Sequence, residues 1–240
     1  MKSFIEFKES KGGAKAGKLE LIRINLDKAK AFAEDIFKKN NRDLEEELPD
    51  FDENFIKAQR IAGGGFAQRK DMPVISNNDV KNLQRTLKKG EIDITKPFSS
   101  PAVANDPFPQ GLDKGTGKSW LKSGIKRNDG DAKDDVVNVK IKKVSVGNLK
   151  PIQSQIYFDK SIKNVAEFGA KGTRDFAESK GNTFVVSKDN RIIDGHHRFL
   201  SALLVDPKIK VNCLEIDLPI KDLLPLTLSY TDAIGNVRNK

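Results

Sequence analysis

Arg191-Ile-Ile-Asp-Gly-His-His-Arg-Phe-Leu-Ser-Ala-Leu-Leu204 decides how the rest of the chain is read. Ile192 and Ile193 are β-branched and run into Asp194-Gly195, a turn-forming pair. Beyond the turn, Phe199, Leu203 and Leu204 lie on one helical face, and Asp206-Pro207 ends the helix. A strand, a sharp polar turn and a helix start thus follow one another directly. Such a junction collects backbone N–H groups at the positive end of a helix dipole, which favours bound anions. The only two histidines of the protein, His196 and His197, stand side by side in it.

The segments around this stretch predict an α+β fold. Residues 136–146 alternate apolar and polar side chains and read as a strand, as do Thr183–Ser187 and Lys210–Ile216. Residues 149–153 make a turn, 161–168 a short helix, and 169–180 a polar, glycine-bearing connection. Lys188-Asp-Asn190 is a tight turn. Residues 219–230 begin as a helix that Pro225 is expected to break or kink. The expectation is a small mixed sheet with helices over residues 134–240.

Residues 1–95 are expected to form a loosely packed, mainly helical accessory region. Residues 1–18 hold the basic, glycine-rich Lys11–Lys18 run and read as a tail, and 19–25 as a short strand. Helical spacing recurs over 27–40, Phe51–Ala62 and 80–89. Gly63-Gly-Gly65 is a strong breaker, Ser76 and Asp79 offer caps, and Gly90 suits a helix C-terminus. The acidic run 43–52 reads as a solvated helix end. Residues 96–133 carry four prolines among Ser, Gly, Asn and Asp and read as a linker, with the lone Trp120 packed on a surface.

Composition sets further bounds. Apolar residues make up 37% of the chain and charged residues 32%, and no apolar run approaches the roughly 20 residues of a membrane span. The N-terminus lacks the pattern of a secretory signal. A single cysteine, Cys213, excludes an intrachain disulfide and suits a reducing cytoplasm; within an apolar strand it reads as a core thiol. The net charge of +9 is spread along the chain, with 27 basic and 23 acidic residues in 1–140 and 16 and 11 in 141–240. Mild affinity for DNA or phosphate is allowed without being demanded.

Lys114-Gly-Thr-Gly-Lys-Ser119 imitates the end of a phosphate-binding loop. It lacks the glycine five residues before Gly117, where Leu112 stands, and no apolar strand precedes it. It is rejected as a nucleotide site. Asp194-Gly-His-His-Arg198 therefore remains the one concentrated cluster. Gly195 permits close approach or a positive φ, while His196, His197 and Arg198 open the helix and can meet a phosphate. Asp194 can face a metal or a hydroxyl group. The plainer alternative is that Asp194 caps the helix and the histidines pack.

These residues carry a resemblance. Val144-Ser-Val-Gly-Asn-Leu-Lys-Pro-Ile-Gln153 and Phe184-Val-Val-Ser-Lys-Asp-Asn-Arg-Ile-Ile-Asp-Gly-His-His-Arg-Phe-Leu-Ser-Ala202 resemble the ParB/sulfiredoxin superfamily over about residues 136–218. Gly195-His-His-Arg198 matches the superfamily's Gly-x-x-Arg turn, and Gln153 falls on a commonly polar, ligand-facing position. The Asp-Gly-His-His-Arg form is similar to ParB-like nuclease proteins of bacteria and tailed phages. The N-terminal Met-Lys-Ser-Phe-Ile-Glu-Phe also resembles many large-phage proteins, which would place the chain in a host cytoplasm or a virion. The resemblance implies nucleotide binding, of ATP or CTP with Mg2+ or Mn2+, through Gln153, Gly195, His196, His197 and Arg198. It further implies NTP hydrolysis or phosphoryl transfer, in association with DNA, with Asp194 as metal or base partner and Asp194, His196 and His197 as the catalytic residues. Sulfiredoxins carry a cysteine where His196 stands, so sulfinic-acid repair is excluded. Only residues 218–240 follow the core, too few for the DNA reader of partition proteins. Two other readings stay open: a metal-dependent nuclease drawing further carboxylates from Asp175 or Asp189, and a non-enzymatic phage structural or interaction protein binding a partner through residues 1–133.

Overall fold

The computed structural model describes residues 19–90 and 133–236. The expected tail at 1–18, most of the linker with Lys114–Ser119 and Trp120, and residues 237–240 lie outside the described residues. The elements run α1 (Leu26–Lys39), α2 (Leu44–Glu47), α3 (Phe51–Ala62), α4 (Asn77–Lys88), β1 (Val139–Ser145), β2 (Lys150–Pro151), α5 (Phe158–Glu178), β3 (Thr183–Ser187), β4 (Arg191–Asp194), α6 (His196–Val205), β5 (Lys210–Ile216) and α7 (Ile220–Ala233). The α+β class expected from the sequence is the one found.

The five strands form one mixed sheet in the order β1-β5-β3-β4-β2. β1 and β5 are antiparallel, β5 and β3 parallel, β3 and β4 an antiparallel hairpin, and β4 and β2 parallel. Both faces of the sheet are covered. On one, Val144, Phe184, Val186, Ile192, Val211 and Cys213 pack against apolar residues of α1, α3, α5 and α6. On the other, Val139, Val185, Ile193, Leu214 and Ile216 meet α4 and α7. Neighbouring residues alternate between the two clusters, as the two-residue period of a strand requires.

Residues 19–88 share these cores rather than packing loosely beside them. Leu21, Phe37 and Phe55 are fully buried on the α5–α6 side, and Leu83 and Leu87 on the other. The Phe55 ring meets Phe158 of α5 edge-on at 5.4 Å, an arrangement that aromatic quadrupoles favour. Ser76 and Asp79 form a reciprocal capping box at the start of α4.

Three local expectations are corrected. Residues 19–25 form a 3-10 turn, Leu21–Arg23, with one bridge from Glu20 to Tyr157 in place of a strand. Residues 169–180 are largely helical: α5 continues to Glu178 beyond a kink at Gly169, whose φ of 73° is left-handed. Glu47 accepts the Ala170 N–H at 2.7 Å and pairs with Arg42, so an acid from the 43–52 run caps the second half of α5. Pro225 lies inside α7 without ending it. Its missing N–H costs one bond near the first turn, while buried Leu223, Leu226 and Tyr230 hold the helix to the sheet.

Candidate functional site

The turn between β4 and α6 is built around Gly195. Its φ of 111° lies in the left-handed region. A Cβ there would stand 2.6 Å from Phe184 Cδ1, so the turn also needs the missing side chain. Phe184 lies in the neighbouring strand, β3, and the Arg198 guanidinium sits 5.0 Å above its ring. Arg198 donates from one nitrogen to Asp194 Oδ2 at 2.5 Å and from the other to Asn182 Oδ1. With 17% and 24% of their side chains exposed, Arg198 and Asp194 form a part-buried ion pair across the turn. The Asp194 carboxylate neutralises the Arg198 guanidinium.

The two histidines have different surroundings. His196 is 4% exposed. Its Nε2 accepts the backbone N–H groups of both Ile152 and Gln153 at 3.2 Å. That leaves the ring proton on Nδ1 and locks the segment after β2 to the start of α6. Burial, then the neighbouring His197 and Arg198, push its pKa down to about 3. Gln153 is itself buried and donates its side-chain amide to the Gln155 carbonyl at 2.5 Å, so it braces this segment.

His197 points toward α5. Its Nε2 accepts the Tyr157 N–H at 3.4 Å, and the two rings stack at 6.2 Å. The side chains of Arg69 and Lys160 lie 5.8 and 5.9 Å from the Tyr157 ring. Burial, then the positive charges of Arg69 and Lys160, hold the His197 imidazole at a pKa of about 3. Both histidines are therefore neutral at pH 7 and weak as bases. The positive charge beside the α6 N-terminus comes from Arg69 and Lys160.

The expected site residues are thus divided. Asp194, Gly195, His197 and Arg198 meet at a partly exposed turn, while His196 and Gln153 lie beneath it. Asp189 bonds Ser187 and Arg191 at the opposite end of β4, away from Asp194. Among the described residues, no group of three or more His, Cys, Asp or Glu side chains is arranged to hold a metal ion. Arg69, Tyr157, Lys160, Asn182 and Phe184 are additional members of the site. Chain proximity gave no cue to them, because Arg69 precedes the turn by more than a hundred residues and Tyr157 by about forty. Cys213 is buried, its thiol pushed up to about 12 by desolvation, as suits a core residue. No helix among the described residues is long and apolar enough to cross a membrane. Comparison with protein-family models, with curated proteins and with solved structures finds no match for this chain.

Proposed function

We propose that the protein binds the phosphates of a nucleotide, ATP or CTP, at the β4–α6 turn. The observation that carries this reading is the pairing of Arg69 and Lys160 around Tyr157 and a neutral His197, beside the N-terminus of a ten-residue helix. Two cations and a helix dipole raise the local potential, and an aromatic ring next to them suits a ligand that joins an anion to a heterocycle. The resemblance to the ParB/sulfiredoxin superfamily points the same way.

In this reading the roles differ from those that the motif alone implies. Arg198, held by Asp194, Asn182 and Phe184, shapes the turn. Mg2+ or Mn2+ would arrive on the nucleotide phosphates, since such ions bind few protein ligands when phosphates are present. Binding is better supported than turnover, because burial holds both imidazoles well below their usual pKa, which makes them weak general bases.

A thermal-shift series with ATP, CTP and GTP, each with Mg2+ or Mn2+, tests the reading. Ligand at about a hundred times its Kd adds roughly 2.7 kcal/mol of stability, a rise in Tm of several degrees. Unchanged melting with every nucleotide at millimolar concentration would sink the proposal.

A further inference from the structure

We infer that Arg69, from the segment after α3, recognises the anionic end of the ligand at this site, and that a clasp at Gly65–Ala67 holds it there. The inference rests on the nucleotide reading and adds to it which end of the ligand Arg69 meets and what holds Arg69 in place.

The clasp is specific. Phe66 and Ala67 both donate their N–H groups to the Ile152 carbonyl, at 2.8 and 2.9 Å. Ser154 returns its N–H and its hydroxyl to the Ala67 carbonyl, at 2.9 and 3.1 Å. Ala67 and Gln153 form a parallel bridge, so the segment extends the pairing of the chain beyond β2. Gly65 permits the approach, since a Cβ there would stand 2.6 Å from the Gln153 carbonyl oxygen. The residues it grips, Ile152 and Gln153, are the two whose N–H groups His196 accepts. A continuous chain of hydrogen bonds therefore runs from the His196 side chain of α6 through residues 152–154 to residues 65–67. A one-turn 3-10 helix, Arg69–Asp71, follows directly and brings Arg69 over Tyr157.

Arg69 is also the largest charge effect on His197, ahead of Lys160. A guanidinium that depresses a neighbouring imidazole acts equally on any anion in the same place. Its planar fork suits two phosphate oxygens at once, which a lysine ammonium cannot match. The segment 65–71 thus forms part of the site wall.

Titration calorimetry on the full chain with ATP, CTP and inorganic pyrophosphate, each at low and moderate salt, tests this. Arg69→Ala is expected to weaken binding of every phosphate-bearing probe at least tenfold and to flatten the salt dependence. Arg69→Lys should recover part of the affinity. Gly65→Val leaves the charge in place but opens the clasp, and should weaken binding of the same probes. Arg69→Gln, which keeps the side-chain length, replaces the alanine variant should that one fail to fold. Wild-type affinity in Arg69→Ala or Arg69→Gln would overturn the inference while leaving nucleotide binding standing. Pyrophosphate binding that needs Arg69, with no nucleotide binding, would uphold the inference and overturn the nucleotide reading. Absence of binding by all three probes would overturn both.

Discussion

The two histidines of one turn have opposite surroundings, and the contrast separates what shapes the site from what it offers a ligand. The His196 side is bonded within the fold. Nε2 takes two backbone N–H groups, and nearby Arg198 is neutralised by Asp194 over a buried Phe184. On the His197 side Arg69 and Lys160 gather around Tyr157. The first side is scaffold, and the second carries the cations on which the proposed anion site rests. Arg198, the charged member of the motif, is engaged by Asp194, Asn182 and Phe184.

The scaffold side predicts the largest stability losses. Gly195→Val forces a β-branched residue to a positive φ and drives a methyl group into Phe184. Strain and overpacking together should cost about 4 kcal/mol, read by urea unfolding. A loss below about 1 kcal/mol would show that the turn relaxes freely. His196→Ala leaves the buried Ile152 and Gln153 N–H groups without their acceptor and should cost about 3 kcal/mol.

Acid should act through the same residue. The folded pKa of His196 is depressed to about 3 from the ordinary 6.5, so the unfolded chain binds more protons between those values. Its contribution is complete above pH 6.5 and is lost as the pH falls toward 3. Between pH 7 and 5 the loss should be about 2 kcal/mol for this histidine, before carboxylates titrate in the unfolded chain. Urea titrations at both pH values measure it, and His196→Gln should remove that share of the slope.

Smaller effects sharpen the contrast further. A double-mutant cycle on Asp194→Asn and Arg198→Lys should return a coupling of about 1 to 2 kcal/mol, as a part-buried, hydrogen-bonded pair gives. On the other side, Arg69→Ala should move stability by only about 0.5 kcal/mol, the usual scale for a substitution at a partly exposed position. An equal or larger loss there than at Arg198 would erase the distinction between scaffold and binding side.

Local pattern made much of the fold readable. Alternation exposed β1, short apolar runs β3 and β5, helical spacing α1 and α4, and Ser76 with Asp79 marked the start of α4. Two of the misread segments share a cause. Gly169 and Pro225 are breakers by local rule, yet α5 and α7 continue past them because distant groups compensate: Glu47 caps Ala170, and the sheet buries one face of α7. The candidate turn was legible for the same reason as the strands, since Ile192 to Arg198 is a local event of strand, left-handed glycine and helix.

The sequence by itself determined the elements and the place of the turn, because propensity, spacing and capping act over a few residues. The tertiary structure alone decided the chemistry of that turn. Whether an imidazole is charged, or an arginine free, depends on burial and on partners brought from residues 69, 152–160, 182 and 184. Solvation and Coulomb energy follow distance in space, and no local pattern records which distant groups will be near.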